Sequence, residues 1–304
     1  MTHLLRTVTL ARTAGFCWGV ERAIDGARGA KDIRGKDGQN FFVLGNLVHN
    51  AVAVEDLEQK GIRVTEHMEE AKGSTLFITA HGRNPKDIEQ ARDLLGDKQV
   101  IDMTCPIVKN LHAMALELKN EGRKMVLIGI RSRHHPEVAG VIGVLEGEVH
   151  VVQFPDEVTS LPYEAREPIG VVNQTTFNAK EIDRILEALH ARFVNVRYIP
   201  TMCDDISKKQ AELRERGRAF DAVIVIGDPR SANSTHLAEI SSNELQRHTL
   251  FILRDEELLK EDLDGAEHIF VTAGASTPSS SIESVLRKLE VFGFARNDSW
   301  DVRS

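Results

Sequence analysis

Cysteine is scarce: only Cys17, Cys105 and Cys203 occur in 304 residues. That odd, widely spread count excludes the disulfide framework of a small secreted protein. Basic charge is also in deficit, with 38 Lys and Arg against 46 Asp and Glu for a net charge of −8. No basic run supplies the footprint that nucleic acid or an anionic membrane requires, so neither is expected as a partner. Long apolar runs are missing, and Arg6 and Arg12 interrupt the N-terminal apolar residues. The expected localisation is therefore cytoplasmic. P-loop and HExxH motifs are absent, and Gly26 and Gly29 do not follow a strand as a dinucleotide-binding turn demands.

What is present is an ordinary globular composition, 41% hydrophobic and 28% charged, which argues against disorder. The runs FFVLG, TLFITA, KMVLIG, VHVVQF, IGVVN, DAVIVIG, TLFILR and HIFVTA read as strands that are apolar throughout. Helical patterns lie between them. One begins at Asn178, with Glu181 completing a capping box and Ile182, Ile185, Leu186 and Leu189 on one face. Apolar strands alternating with helices predict an α/β fold with parallel sheets covered on both sides.

Length alone predicts two domains at about 150 residues each. The cysteines divide the chain differently, because they open three segments at intervals of 88 and 98 residues. His49, His135 and Asn233 follow their cysteines by 32, 30 and 30 residues, each in a polar loop after a strand ending in Gly. His81, Thr175 and Ser276 follow by 64, 70 and 73, again beyond a strand. One plan is repeated three times, giving lobes at 1–103 (Cys17, His49, His81), 104–201 (Cys105, His135, Glu137, Thr175) and 202–304 (Cys203, Ser231, Asn233, Ser276) with a short C-terminal tail. Residues beyond the C-termini of parallel strands emerge along one edge, where such folds place ligands. Three such edges meeting would form one central site.

Each cysteine falls between a strand and a helix, and Pro106 is a favoured first helical residue. At that position the helix dipole favours the thiolate, the form that binds metal. A single cysteine is more often a small buried hydrophobe; the threefold placement favours ligation for the set. Structural zinc usually takes close pairs of ligands, which are absent, whereas iron-sulfur clusters accept thiolates from distant points. A 4Fe-4S cluster held by three cysteines leaves a fourth iron open to a substrate oxygen. The accompanying His49, His81, His135, Thr175, Ser231, Asn233 and Ser276 suit many-point hydrogen bonding to phosphate oxygens. Glu137 is the carboxylate closest to this set; desolvated it would donate protons, and on a helix start at the surface it would need no explanation.

The motifs GFCWGVERAI, LVHN, AHG, TCPIVK, HPEV, QTT, the Ser231–Asn233 loop and TAGAS occur in order over nearly the whole chain. In sequence and spacing they resemble the 4-hydroxy-3-methylbut-2-enyl diphosphate reductases of the LytB/IspH family. The resemblance implies a three-lobed trefoil of α/β domains around one 4Fe-4S cluster, held by Cys17, Cys105 and Cys203. It implies an oxidoreductase of the methylerythritol phosphate route to isoprenoids, forming isopentenyl and dimethylallyl diphosphates by two-electron, two-proton reductive dehydroxylation. Diphosphate contacts then fall to His49, His81, His135, Ser231, Asn233 and Ser276. Thr175 would meet the substrate hydroxyl, Glu137 would deliver protons through it, and a ferredoxin or flavodoxin would supply electrons. A non-redox hydro-lyase using the open iron, or a cluster-based sensor, would share the ligands and differ in needing no electron donor or no diphosphate.

The sequence departs from that family pattern in three places. Ala232 stands where a second serine is usual, which removes one diphosphate hydroxyl. The loop before His135 is longer and brings Arg131 and Arg133, while Arg230 precedes Ser231; each is either an added phosphate contact or solvated surface. After Cys203 the usual Ala-Thr and Arg-Gln read Asp205-Ile206 and Lys209-Gln210, and acids beside a cluster ligand disfavour adding electrons unless they point to solvent.

Overall fold

Val, Ile and Phe in unbroken runs make strands that are buried on both faces, and the amphipathic stretches between them make the helices that cover those faces. The computed structural model describes residues 6–35, 38–132 and 135–297. The elements begin with β1 (Thr7–Leu10), α1 (Trp18–Arg34), β2 (Phe41–Leu44), α2 (Ala51–Gln59), β3 (Ile62–Thr65), β4 (Thr75–Ile78), α3 (Pro85–Leu95) and β5 (Val100–Asp102). They continue with α4 (Pro106–Asn120), β6 (Lys124–Ile128), α5 (Pro136–Val144), β7 (Val149–Val152), β8 (Ile169–Asn173), α6 (Ala179–Arg192) and β9 (Val196–Tyr198). The last are α7 (Asp204–Arg216), β10 (Ala222–Ile226), α8 (Ala232–Glu239), β11 (His248–Ile252), β12 (His268–Ala273), α9 (Ser279–Val291) and β13 (Ala295–Arg296). Asn178 caps α6 as expected, its side chain accepting from the Lys180 N–H. Among the described residues no helix is long and apolar enough to cross a membrane.

Three parallel sheets result, so the expected α/β class holds. Their strand orders share one pattern: β3-β2-β4-β5, β7-β6-β8-β9 and β11-β10-β12-β1-β13. In each, the fourth position is taken by the strand that leads into a cysteine. β5 leads to Cys105, β9 to Cys203 and β1 to Cys17. β1 thus completes the sheet of the last segment, with Val8 in register with Ile269 of β12 and Arg296 of β13. The tail segment at 291–304 contributes β13 to that sheet; Arg133 and residues 298–304 lie outside the described residues.

The described residues of 1–18, 49–55 and 204–304 form one compact unit, and those of 19–48 and 56–203 form another. In the first, alternation along β10 sends Ala222, Ile224 and Ile226 to a core under α9, while Val223 and Val225 face a second core with Leu213 and Leu237. In the second unit β6 does the same, with Val126 and Ile128 packed towards α6 and Met125 and Leu127 towards α4 and α5. The sheet of β2 and β4 has its own core around Leu44, Leu76 and Ile78. Each fully buried Val, Leu, Ile or Phe side chain contributes about 1.5–3 kcal/mol.

Candidate active site

The second unit holds Cys105, Cys203, His81, His135, Glu137 and Thr175. Pro136 starts α5, His135 is its N-cap, and Glu137 falls in the first turn. Packing of α5 against the sheet buries Glu137 to 1% exposure, so the surface reading of this glutamate is wrong. Its carboxylate accepts the Thr175 N–H at 2.5 Å and the Thr175 hydroxyl at 3.1 Å. Burial lifts its pKa from 4.5 to about 7, while the two Thr175 hydrogen bonds pull the other way. A carboxyl poised there holds a proton near neutral pH and can release it.

Thr175 also ties the acid to a cysteine, because its carbonyl accepts the Cys203 N–H at 3.0 Å. Asn173 fixes the chain just ahead of Cys203, accepting from the Thr201 N–H and from the Tyr198 hydroxyl. Gln174 stands 3.4 Å from Nε2 of His135 and accepts from the Ile130 N–H. The His81 and His135 rings meet edge to face with centroids 6.3 Å apart. Ala80, next to His81, accepts the Cys105 N–H at 2.9 Å. Backbone hydrogen bonds therefore set two cysteines beside two other predicted site residues.

Cys17, His49, Ser231, Asn233 and Ser276 belong to the first unit. The Cys17 N–H donates to the Ala275 carbonyl at 3.0 Å, and the adjacent Ser276 hydroxyl donates to the His49 carbonyl at 2.8 Å. Ser231 caps α8 through its hydroxyl, which places Asn233 in the first turn. Asn233 is 2% exposed, and neither atom of its side-chain amide has a partner among the described residues. A buried amide left so is costly unless a ligand pairs with it. Asp228 accepts the Ala51 N–H at the start of α2, just beyond His49, and grips Arg230 at 2.7 and 3.0 Å. Its pKa falls to about 2, against the cost of burial, because Arg230 and two backbone N–H groups stabilise the charge. Burial first and Arg230 second push His49 below the usual histidine value, with Asp228 acting in the opposite sense. The His49 imidazole is accordingly neutral near pH 7.

Of the extra arginines, Arg131 pairs with Glu157 at 3.0 Å with its side chain 72% exposed. That is a solvated surface pair. Arg230 instead sits on the buried Asp228, close enough to His49 to shift it. Asp205 accepts the Trp18 N–H at 3.2 Å, so its carboxylate is turned to the residue after Cys17. Sequence reasoning missed Asn173, Gln174 and Asp228 as supports. Their signal was position: each lies at or just past the end of a strand that carries site residues.

The cysteine positions fit a cluster ligand set. Each immediately precedes the first residue of a helix, α1, α4 or α7, and each is half-buried. Gly19, in the first turn of α1, leaves room at Cys105, since a Cβ there would lie 2.6 Å from the Cys105 sulfur. Among the described residues no three His, Cys, Asp or Glu side chains converge at single-ion spacing. Thiolates that each take a different iron need no such convergence.

Parallel α/β sheets of one repeated plan, with a cysteine at a helix start in each repeat and hydrogen-bonding residues at the strand ends, define a parallel α/β protein. The LytB protein family model matches residues 8–290, and the chain belongs to that family. A curated relative from Geobacter sulfurreducens named 4-hydroxy-3-methylbut-2-enyl diphosphate reductase is 35% identical over 285 residues, covering 94% of this chain and 97% of the relative. One of the same name from Caldanaerobacter subterraneus subsp. tengcongensis is 35% identical over 93% of this chain and 96% of its own. The solved E-1-hydroxy-2-methyl-but-2-enyl-4-diphosphate reductase of Plasmodium falciparum superposes with a TM-score of 0.88 at 25% identity, over 99% of this chain and 95% of that one. The family uses an iron-sulfur cluster.

Proposed function

We propose that this chain is an iron-sulfur oxidoreductase that converts 4-hydroxy-3-methylbut-2-enyl diphosphate, with two electrons and two protons, to isopentenyl or dimethylallyl diphosphate and water. Family membership over nearly the whole chain supports the reaction, and the curated reductases disfavour the hydro-lyase and sensor alternatives. The observation that carries the mechanism is the line of contacts from buried Glu137 through Thr175 to Cys203. A proton-holding carboxyl thus lies one residue's contact from Cys203. The repeat division at 1–103, 104–201 and 202–304 belongs to the same reading, supported by one sheet in each segment with β1 contributed to the last.

In this reading Cys17, Cys105 and Cys203 hold one 4Fe-4S cluster. Bound, it supplies electrons one at a time and Lewis acidity at the iron that no cysteine takes. The chain's own residues do the rest. Asn233, Ser231 and Ser276, with neutral His49 and with His81 and His135, bind the diphosphate; neutral donors pair with its oxygens without needing to be desolvated as charges. Thr175 orients the substrate hydroxyl with a side-chain oxygen that Glu137 already holds in place. Glu137 holds a proton on its carboxyl and passes it through Thr175 to the departing hydroxyl, which leaves as water. The donor is a ferredoxin or flavodoxin, and the setting is the cytoplasm.

Anaerobic turnover with an artificial one-electron reductant, on protein of confirmed iron and sulfide content, tests the proposal. Formation of the two five-carbon diphosphates is expected. Cluster-loaded protein that yields neither overturns the reading.

A further inference from the structure

The loop that carries Cys17 is tied to the Ala275 carbonyl at the Cys17 N–H and, along residues 12–18, to one helix. Asp205, Lys209 and Glu212 are spaced by four and three residues and so share a face of α7. Glu212 accepts the Arg12 N–H at 2.8 Å, the Thr13 N–H at 2.9 Å and the Thr13 hydroxyl at 2.7 Å. Lys209, only 3% exposed, donates to the carbonyls of Thr13 and Gly15, the latter at 2.8 Å. Asp205 accepts the N–H of Trp18, the first residue of α1. Gly15 turns the loop at φ +95°, a conformation open to glycine, and glycine's wide backbone freedom leaves the path to Cys17 to be fixed by these external holds. A cleft of about 180 Å³ opens beside the loop, lined by Cys17, Asp205, Lys208 and Lys209.

We propose that Asp205, Lys209 and Glu212 are positioning residues for the Cys17 thiolate, and that the opposed charges of Asp205 and Lys209 at that cleft set how readily the bound cluster takes an electron. The proposal rests on Cys17 being a cluster ligand. Two separable effects follow. The hydrogen bonds hold the loop at the geometry that keeps Cys17 on its iron. The charges act on the electron: a carboxylate near a ligand disfavours its addition, and an ammonium favours it. α7 itself starts directly after Cys203, so one helix leads from one cysteine and grips the loop of another.

The test uses full-length, cluster-loaded protein under anaerobic conditions. Iron release to a ferrous chelator and the midpoint potential are measured for the parent, Asp205→Ala, Asp205→Asn, Lys209→Met, Lys209→Arg and Cys17→Ser. Loss of a helix-start acceptor predicts about fivefold faster iron release for Asp205→Ala, with a raised potential. Asp205→Asn keeps an acceptor and should release iron at the parent rate while still raising the potential. Lys209→Met should release iron faster and lower the potential, and Lys209→Arg should restore both. A helix that merely stabilised the fold would not move the potential in opposite directions. If Lys209→Met does not fold, the Asp205 pair decides alone. Parent-like release and potential in both Asp205 variants, beside an altered cluster in Cys17→Ser, overturn the proposal and leave the ligand reading intact. A parent-like cluster in Cys17→Ser overturns the ligand reading, and the proposal with it.

Discussion

The carboxylate of Glu137 takes two hydrogen bonds from one residue, the N–H and the hydroxyl of Thr175, at 2.5 and 3.1 Å. The pairing fixes the acid's orientation, and burial keeps its proton affinity high.

Replacing Glu137 by Gln keeps the shape and an oxygen able to accept from Thr175, but removes the transferable proton. Substrate binding should persist while turnover falls by about 10²- to 10⁴-fold, the usual worth of a general acid. Anaerobic kinetics alongside a binding titration would separate the two; full turnover in this variant removes Glu137 from the mechanism.

The pH dependence follows from the same residue. With a pKa of about 7, the proton-donating form is depleted as pH rises through 7, so kcat should fall on the alkaline side, and Glu137→Gln should lack that limb. The folded state also holds this proton more tightly than the unfolded chain. Its contribution to stability is thus present below pH 4.5 and is lost as pH climbs towards 7. A rate profile and thermal melts across that range check both signs.

Gly19→Ala would place a methyl 2.6 Å from the Cys105 sulfur. Neither the α1 backbone nor the Cys105 backbone, tied to Ala80, is free to yield. The variant should fold yet purify with less than half the parent's iron and sulfide, read by metal analysis and the visible absorbance of the cluster.

Asp228→Ala removes the partner of Arg230 and the acceptor for the α2 N-terminus together. A cost of about 1–3 kcal/mol is expected at neutral pH. Because the folded pKa lies near 2, below the ordinary 3.8, this contribution exists above pH 4 and is lost as pH falls to 2. Melting temperatures of parent and variant should therefore converge in acid; an equal gap at pH 2 and pH 7 would count against the assignment.

Ala232→Ser restores a hydroxyl at the first residue of α8, directly between Ser231 and Asn233. One added neutral hydrogen bond should tighten diphosphate binding about threefold to tenfold, measurable by competition with inorganic diphosphate.

Six of the eight apolar runs were legible as strands because burial on both faces leaves little polar interruption, and β7 and β11, at sheet edges, by their Val, Leu, Ile and Phe content. β3 and β13 escaped notice, and β1, β5 and β9 were visible only as the strands expected ahead of the cysteines; all five are two to four residues long and interleaved with polar residues. Their strand character comes from partners, as when Thr7–Leu10 pairs with His268–Val271 across most of the chain. The cysteines and the residues about thirty positions after them were visible through spacing. Glu137 was ambiguous, because the packing that buries α5 has no local signature. Asp205 showed only as an unusual acid; the loop it holds is distant in sequence.

The placement of β1 also orders events during synthesis. The sheets of residues 41–198 use strands close in sequence and can close as the chain emerges. β1 must wait for β12, and the Cys17 loop must wait for Glu212 and Ala275. The first cysteine made is then the last whose backbone is set in place, since its loop forms only after residues 212 and 275 have joined the chain.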